Sequence, residues 1–231
     1  MGYCSRAQAA DLISAGRVRL NGVVRCDAEV SVRVAQDKIE VDGREIRAAE
    51  KAYWMLNKPR GVVTTTSDEK ARETVYDYIG EGRGWLAPVG RLDKASEGLL
   101  LFTNDSAWAA RVLDPARHVA KTYHVQVAAL ADEVLLQAIR RGVRAGRDLL
   151  RVQLVRELRR GERNSWIEIV LDEGKNRQIR RMMGTLGVEV LRLVRVAVGG
   201  LTLGDLAKGS CRELTAEEKS SIETVLRKDR N

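Results

Sequence analysis

Residues 90–103 read Gly-Arg-Leu-Asp-Lys-Ala-Ser-Glu-Gly-Leu-Leu-Leu-Phe-Thr, and the rest of the chain is best understood outward from them. Leu99–Thr103 is a buried strand by composition. Asn104-Asp105 then turns the chain into a helix from Ser106 to about Leu113. Upstream, Gly90 and Gly98 bracket a loop in which a carboxylate, Asp93, is flanked by Arg91 and Lys94. Nearby cations keep a carboxylate ionised and therefore nucleophilic, and glycines let the backbone turn tightly and a substrate approach. The plainer reading is that Asp93 caps a turn, as most loop aspartates do. On position alone that plainer reading is preferred.

Strands and helices follow on both sides. Tyr53–Leu56 is a short apolar strand ended by a turn at Lys58-Pro59-Arg60-Gly61. Lys121–Val127 alternates as a strand with Tyr123, Val125 and Val127 on one face. Ala131–Arg141 is an amphipathic helix. Leu149–Leu158 and Trp166–Leu171 are strands across an Arg-rich turn, 159–164. Asn176–Leu186 is a helix, Val188–Val198 a strand, and Thr215–Arg227 a closing helix with a charged tail. Strands joined by short turns predict an α+β fold, a mainly antiparallel mixed sheet with flanking helices. The cluster Gly80, Gly82, Gly84 lacks the spacing of a dinucleotide loop and is read as a mobile loop.

Residues 1–47 form a separate small α/β unit. Ser5-Arg6-Ala7-Gln8 has the capping-box pattern, and Gly16 is placed to end the helix that follows. Arg17-Val18-Arg19-Leu20 alternates, with hairpin turns expected at Asn21-Gly22 and Asp42-Gly43. Residues 48–52 are a linker, 53–218 the main domain, and 219–231 the helix end and tail.

Two further places could carry chemistry. On the helix Asn176–Leu186, Ile179, Met182, Met183 and Leu186 share one side. Arg177, Arg180 and Arg181 lie on the opposite side, in the N-terminal half where the helix dipole disfavours cations. An anionic partner explains them; a solvated polar face is the common alternative. Tyr123, in Lys121-Thr122-Tyr123-His124, could stack on a nucleobase, although most strand tyrosines are core residues.

Composition narrows the classes. The 231 residues carry 40 Lys and Arg against 32 Asp and Glu, a net charge of +8, and 30 of the 40 cations are Arg. Arginine's planar fork suits phosphate and stacks on bases, so a nucleic acid is the first partner to consider. No apolar stretch reaches the roughly 18 residues of a membrane helix, and the N-terminus does not read as a secretory signal. Cys4, Cys26 and Cys211 are odd in number and far apart, which fits neither a disulfide framework nor a zinc site. His118 and His124 are the only histidines. A cytoplasmic protein with no metal and no small-molecule cofactor, expected as a monomer, is the default.

Taken together these motifs resemble a known family. The stretches "NKPRG", "GRLDKASEGLLLFTND", "KTYHV" and "EGKNRQIRRMMGTLG…VLRLVRVAVGGL", in that order, resemble the ribosomal-RNA pseudouridine synthases of the small-subunit type, a family that includes large-subunit-RNA members. "CSRAQAADLISAGRVRLNGVV…DKIEVDG" resembles the αL RNA-binding module of a small-subunit ribosomal protein, entered at that module's second helix. The resemblance implies a cofactor-free isomerase acting on ribosomal RNA or an assembling ribosomal subunit, with the large-subunit RNA slightly favoured. It implies that Asp93 is the catalytic aspartate, Tyr123 stacks on the flipped base, Arg180 pairs with Asp93, and Leu193 packs at the pocket. It places Arg91 in the position that inserts into RNA. Lys94, Lys58, Arg177, Arg181, Arg17 and Arg19 are then expected as RNA contacts. Two other classes remain open: a non-catalytic RNA-binding or ribosome-assembly protein, and a glycosidase-like enzyme pairing Asp93 with Glu97. The second needs an aromatic-rich sugar site, and aromatics are only 4% of the chain.

Overall fold

The computed structural model describes residues 2–33, 36–47, 49–66, 68–80 and 84–227. The expected glycine loop at 81–83 and the charged tail at 228–231 lie outside the described residues.

The N-terminal unit is α1 (Arg6–Ser14) followed by β1 (Val18–Leu20), β2 (Val23–Arg25), β3 (Ile39–Val41) and β4 (Arg44–Glu45). The strands pair antiparallel in the order β2-β1-β3-β4. Ser5 caps α1 in a full capping box: the Gln8 N–H donates to Ser5 Oγ at 3.1 Å, and the Ser5 N–H donates to Gln8 Oε1 at 3.0 Å. Asn21, Gly22, Asp42 and Gly43 all have positive φ, as two-residue hairpins matched to strand twist require. Leu20 and Val41 are its only buried apolar side chains among the described residues. Around them lies an open apolar hollow of about 240 Å³, lined by Leu12, Ile13, Val18, Val30 and Ile39 among others.

The main domain is built on one nine-stranded sheet. Its elements are β5 (Tyr53–Lys58), β6 (Ala87–Val89), β7 (Glu97–Thr103), α2 (Ser106–Leu113), β8 (Lys121–Val127) and α3 (Glu133–Arg141). A separate hairpin of β9 (Val143–Ala145) and β10 (Asp148–Leu150) follows. Then come β11 (Leu154–Arg160), β12 (Ser165–Leu171), α4 (Gln178–Thr185), β13 (Val190–Val198), β14 (Leu201–Thr202), β15 (Cys211–Glu213) and α5 (Ala216–Arg227). The order is β11-β12-β8-β13-β7-β5-β15, with β14 on β13 and β6 on β7. β7 and β13 pair in parallel; the other strand pairs of the sheet are antiparallel. The α+β architecture is therefore as expected.

One expected element differs, and three short strands were not expected. The stretch read as one strand over Leu149–Leu158 is divided between β10 and β11, because β10 turns back on β9. The short strands β6, β14 and β15 carry too few residues to show a period in the sequence.

All seven residues of β7 are buried, because helices or loops cover both of its faces. Leu99 and Leu101 pack with Trp108 of α2 and with Ile222 and Leu226 of α5. Leu100 and Phe102 face the other way, with Leu56, Val62, Val75 and Leu92. On that same side, α3 and α4 cover β8 and β12 through Leu136, Ile139, Ile179, Met182 and Met183. Tyr123 touches both clusters of this face, so it marks the seam where the site lies.

Candidate active site

The loop carrying Asp93 is held by its backbone. Ser96 N–H donates to Asp93 O at 2.9 Å, closing a tight turn. The next three carbonyls each accept from a different part of the chain. Lys94 O takes the Gly61 N–H at 2.8 Å, Ala95 O takes Arg180 Nη2 at 2.9 Å, and Ser96 O takes Lys58 Nζ at 2.8 Å. On the other side of Asp93, Leu92 O accepts from Thr64 Oγ1 at 2.9 Å. A loop with its carbonyls satisfied by separate elements is pre-organised, so the carboxylate does not have to be ordered during reaction.

Gly98 follows from the parallel pairing. Its φ is +100°, and a Cβ there would lie 2.3 Å from Arg195 O and 2.9 Å from Arg195 N on β13. Only glycine lets the two central strands approach this closely at the foot of the loop.

Asp93 is about one-third exposed, with Arg177 Nη1 3.4 Å from its Oδ2. The cation at Asp93 in this structure is thus Arg177, where the resemblance implied Arg180. Arg180 reaches across to the same loop but spends its hydrogen bonds on Ala95 O and, at 3.4 Å, Val190 O. Its Nε is buried with no acceptor. Burial lowers the Arg180 pKa, and the positive charge of Arg177 adds to this, while Asp93 opposes it. Arg180 is thus a partly buried cation in the field of Asp93 and not a solvated surface group.

The three arginines do not share one face. Arg177 is the residue before α4, in the left-handed region at φ 46°, an uncommon conformation for a side chain without a short polar group. That backbone turn sends it towards Asp93. Arg181 points away, pairing with Asp148 Oδ2 at 2.6 Å and Ala145 O at 3.0 Å, so it ties α4 to the β9–β10 hairpin. Its expected role as an RNA contact is therefore corrected to an internal one.

Lys58 is corrected more strongly. It is wholly buried, with Nζ donating to Pro59 O at 2.9 Å and to Ser96 O. Burial pushes its ammonium down to about 8 against the opposing pull of Glu97 and Asp93. No phosphate can reach it. Nothing in the sequence signals this, because a lysine before Pro-Arg-Gly reads as a turn cation.

Other expected residues lie as follows. Arg91 and Lys94 are exposed on either side of Asp93. Tyr123 is half-buried, and Leu193 is buried beside Val125 on the same face. In the N-terminal unit, Arg17 pairs with both carboxylate oxygens of Asp42, while Arg19 is exposed. Glu97 is 2% exposed and is held by Arg192 through two contacts of 3.1 Å and by Lys208 at 2.6 Å. Burial pushes the Glu97 carboxyl up, but the hydrogen bonds from Arg192 and Lys208 outweigh it and hold it below its ordinary range. Glu97 shares the Leu99 side of β7, away from Tyr123. It does not form a carboxylate pair with Asp93, which removes the glycosidase-like arrangement. Thr64, outside the quoted motifs, and Arg60, inside "NKPRG" but given no role there, also border this loop; Arg60 donates to Leu191 O at 3.3 Å.

Comparison with known proteins places this geometry in a family. Residues 52–185 match the model for RNA pseudouridylate synthase, and residues 1–39 match that for the S4 domain. The chain is 35% identical to ribosomal large subunit pseudouridine synthase B of Bacillus subtilis, over 97% of this chain and 92% of the relative. It is 34% identical to an uncharacterized RNA pseudouridine synthase of Aquifex aeolicus, over 96% and 89%. A crystal structure of a pseudouridylate synthase superposes with a TM-score of 0.67 at 30% identity, covering 96% of this chain and 94% of that one. Matches of this length mean that the chain belongs to the RNA pseudouridylate synthase family and is an isomerase preceded by an S4 domain.

Proposed function

We propose that this protein converts a specific uridine of ribosomal RNA, in the large-subunit RNA, to pseudouridine, with Asp93 as the catalytic group. The observation that carries the assignment of Asp93 is its position on a loop whose flanking carbonyls are each anchored, with Arg177 and Arg180 converging on it. The substrate assignment is supported by the large-subunit synthases to which the chain is similar.

The reaction breaks the N-glycosidic bond of uridine, turns the freed uracil, and joins C5 to C1′. C5 gives up its proton and N1 takes one up, with no net transfer of electrons, so positioned acid–base and nucleophilic groups suffice. The base must leave the RNA stack at a cost of a few kcal/mol. Tyr123, half-buried at the seam, would stack on it and offset about 1–3 kcal/mol of that cost. Leu193 floors the same face. When the flipped base excludes water, Asp93 needs a cation, because an unpaired buried carboxylate is strongly disfavoured. The buried, unused Nε of Arg180 is available for that role, and Arg177 is then free for phosphate. Arg91, Lys94 and Arg19 are exposed cations for the RNA backbone, whose contacts are salt-sensitive.

The test is Asp93→Asn, which keeps the side-chain shape but not its nucleophilicity or basicity. Tritium release from C5-labelled uridine RNA should fall to background while the circular dichroism spectrum and RNA affinity stay near wild type. Turnover near the wild-type rate would refute the assignment.

A further inference from the structure

The sheet has a second surface that the isomerase site does not use. α3 and α4 cover the Tyr123 side of β8, β12 and β11. On the opposite side the register lines up four residues in one row across four adjacent strands: Arg159, Trp166, Gln126 and Arg192. The guanidinium carbons of Arg159 and Arg192 lie 5.8 and 5.5 Å from the centre of the Trp166 ring. Trp166 is half-buried, and with Arg159, Leu158 and His124 it lines an open hollow of about 270 Å³.

We propose that this row is a second RNA-binding surface, which holds a single-stranded segment of the substrate RNA other than the one carrying the target uridine. The inference rests on the isomerase reading for the identity of the RNA, and on three features of the row for the rest. The first is charge. Arg156, Arg159, Arg192 and Lys208 stand against two carboxylates, Glu168 and Glu97, and Arg159 makes no ion pair among the described residues. A net positive face suits a polyanion. The second is chemistry: a tryptophan with two guanidinium planes on a sheet face offers π surfaces to unstacked bases and N–H edges to phosphates. The third is order. Both guanidinium groups are already placed by the ring, and Arg192 is further fixed by Glu97, so little side-chain entropy is lost on binding. The row spans three interstrand gaps, about 14 Å, the scale of a short single-stranded stretch. Because Tyr123 and His124 are consecutive on β8, the row lies on the face opposite the base pocket, so both surfaces can be filled at once.

The experiment uses the full chain with Arg159→Gln, Trp166→Thr and the double variant. None of these residues belongs to the Asp93 site, and threonine preserves strand preference if tryptophan loss is tolerated. Folding is checked by thermal melting, and Arg159→Gln, wholly on the surface, provides the reading if Trp166→Thr unfolds. The probe is an in vitro transcript of full-length large-subunit ribosomal RNA, bound at several KCl concentrations. The expected result is about tenfold weaker binding for the double variant, a salt slope shallower by about one for Arg159→Gln, and an unchanged single-turnover rate at saturating transcript. Folded variants with wild-type affinity and slope would overturn the proposal. So would unchanged affinity for naked RNA with weaker binding to a partly assembled subunit, which would assign the row to a protein partner. Pseudouridine mapping of the same transcript with wild-type protein separates the two readings. Binding without modification removes the isomerase reading alone; modification with unaltered variant binding removes the second surface alone.

Discussion

Replacing Lys58 with methionine separates a buried anchor from an RNA contact. The side chain is wholly enclosed and its ammonium donates to Pro59 O and Ser96 O. The fall of its pKa from an ordinary 10.5 to about 8 means that keeping it charged in the fold costs about 3 kcal/mol. Methionine removes that cost but leaves the two carbonyls without their donor, at about 1–3 kcal/mol each. The opposing amounts leave Lys58→Met within about 2 kcal/mol of wild type at pH 7. The sign with pH is definite. Between pH 8 and 10.5 the unfolded chain holds a proton on Lys58 that the folded chain has released, so this group makes the wild type more stable as pH rises through that window and contributes a constant penalty below it. The wild type should therefore gain about 3 kcal/mol on the variant between pH 8 and 10.5, read by guanidinium denaturation at several pH values. Activity should fall by about 10- to 100-fold, since Ser96 O loses an anchor and the Asp93 loop shifts. The salt dependence of RNA binding should not change. A slope lower by about one, the signature of a lost phosphate contact, or a pH-independent stability difference, would refute this account.

Substitutions at four other positions test the remaining geometry. Gly98→Ala brings a Cβ to 2.3 Å from Arg195 O, a backbone clash that no rotamer relieves, and should cost about 3–5 kcal/mol in denaturant unfolding; a loss under 1 kcal/mol would show that β7 and β13 can separate freely. Arg180→Ala should lower the single-turnover rate by at least about a hundredfold, with Arg180→Lys recovering only part because a point charge lacks the guanidinium fork, whereas Arg177→Ala should chiefly weaken RNA binding; equal effects at the two positions would contradict the division of roles. Arg181→Ala breaks only the exposed-side pair with Asp148 and the bond to Ala145 O, so melting should show a loss of about 1 kcal/mol or less and the RNA salt slope should stay unchanged.

The local chemistry of the chain determined much by itself. Ser5 and Gln8, Asn21-Gly22 and Asp42-Gly43 specify a cap and two hairpins through contacts within a few residues. The run Leu99–Thr103 has no polar side chain until its end, so it had to be interior, and the alternation in Lys121–Val127 assigned Tyr123 its face. The ordered motifs around Asp93 carried the family and the reaction class. Tertiary structure decided how the cations are used. Lys58, Arg177, Arg180 and Arg181 look equivalent along the chain, because a positive charge in a loop or first helical turn reads as surface in every case. Folding buries one, turns one through a left-handed residue towards Asp93, spends one on a loop carbonyl and gives the last to Asp148. The parallel pairing of β7 with β13, which requires Gly98, and the row of Arg159, Trp166, Gln126 and Arg192 were equally invisible. Each depends on register between strands far apart in the chain, and register is set by the packing of whole faces rather than by any local pattern.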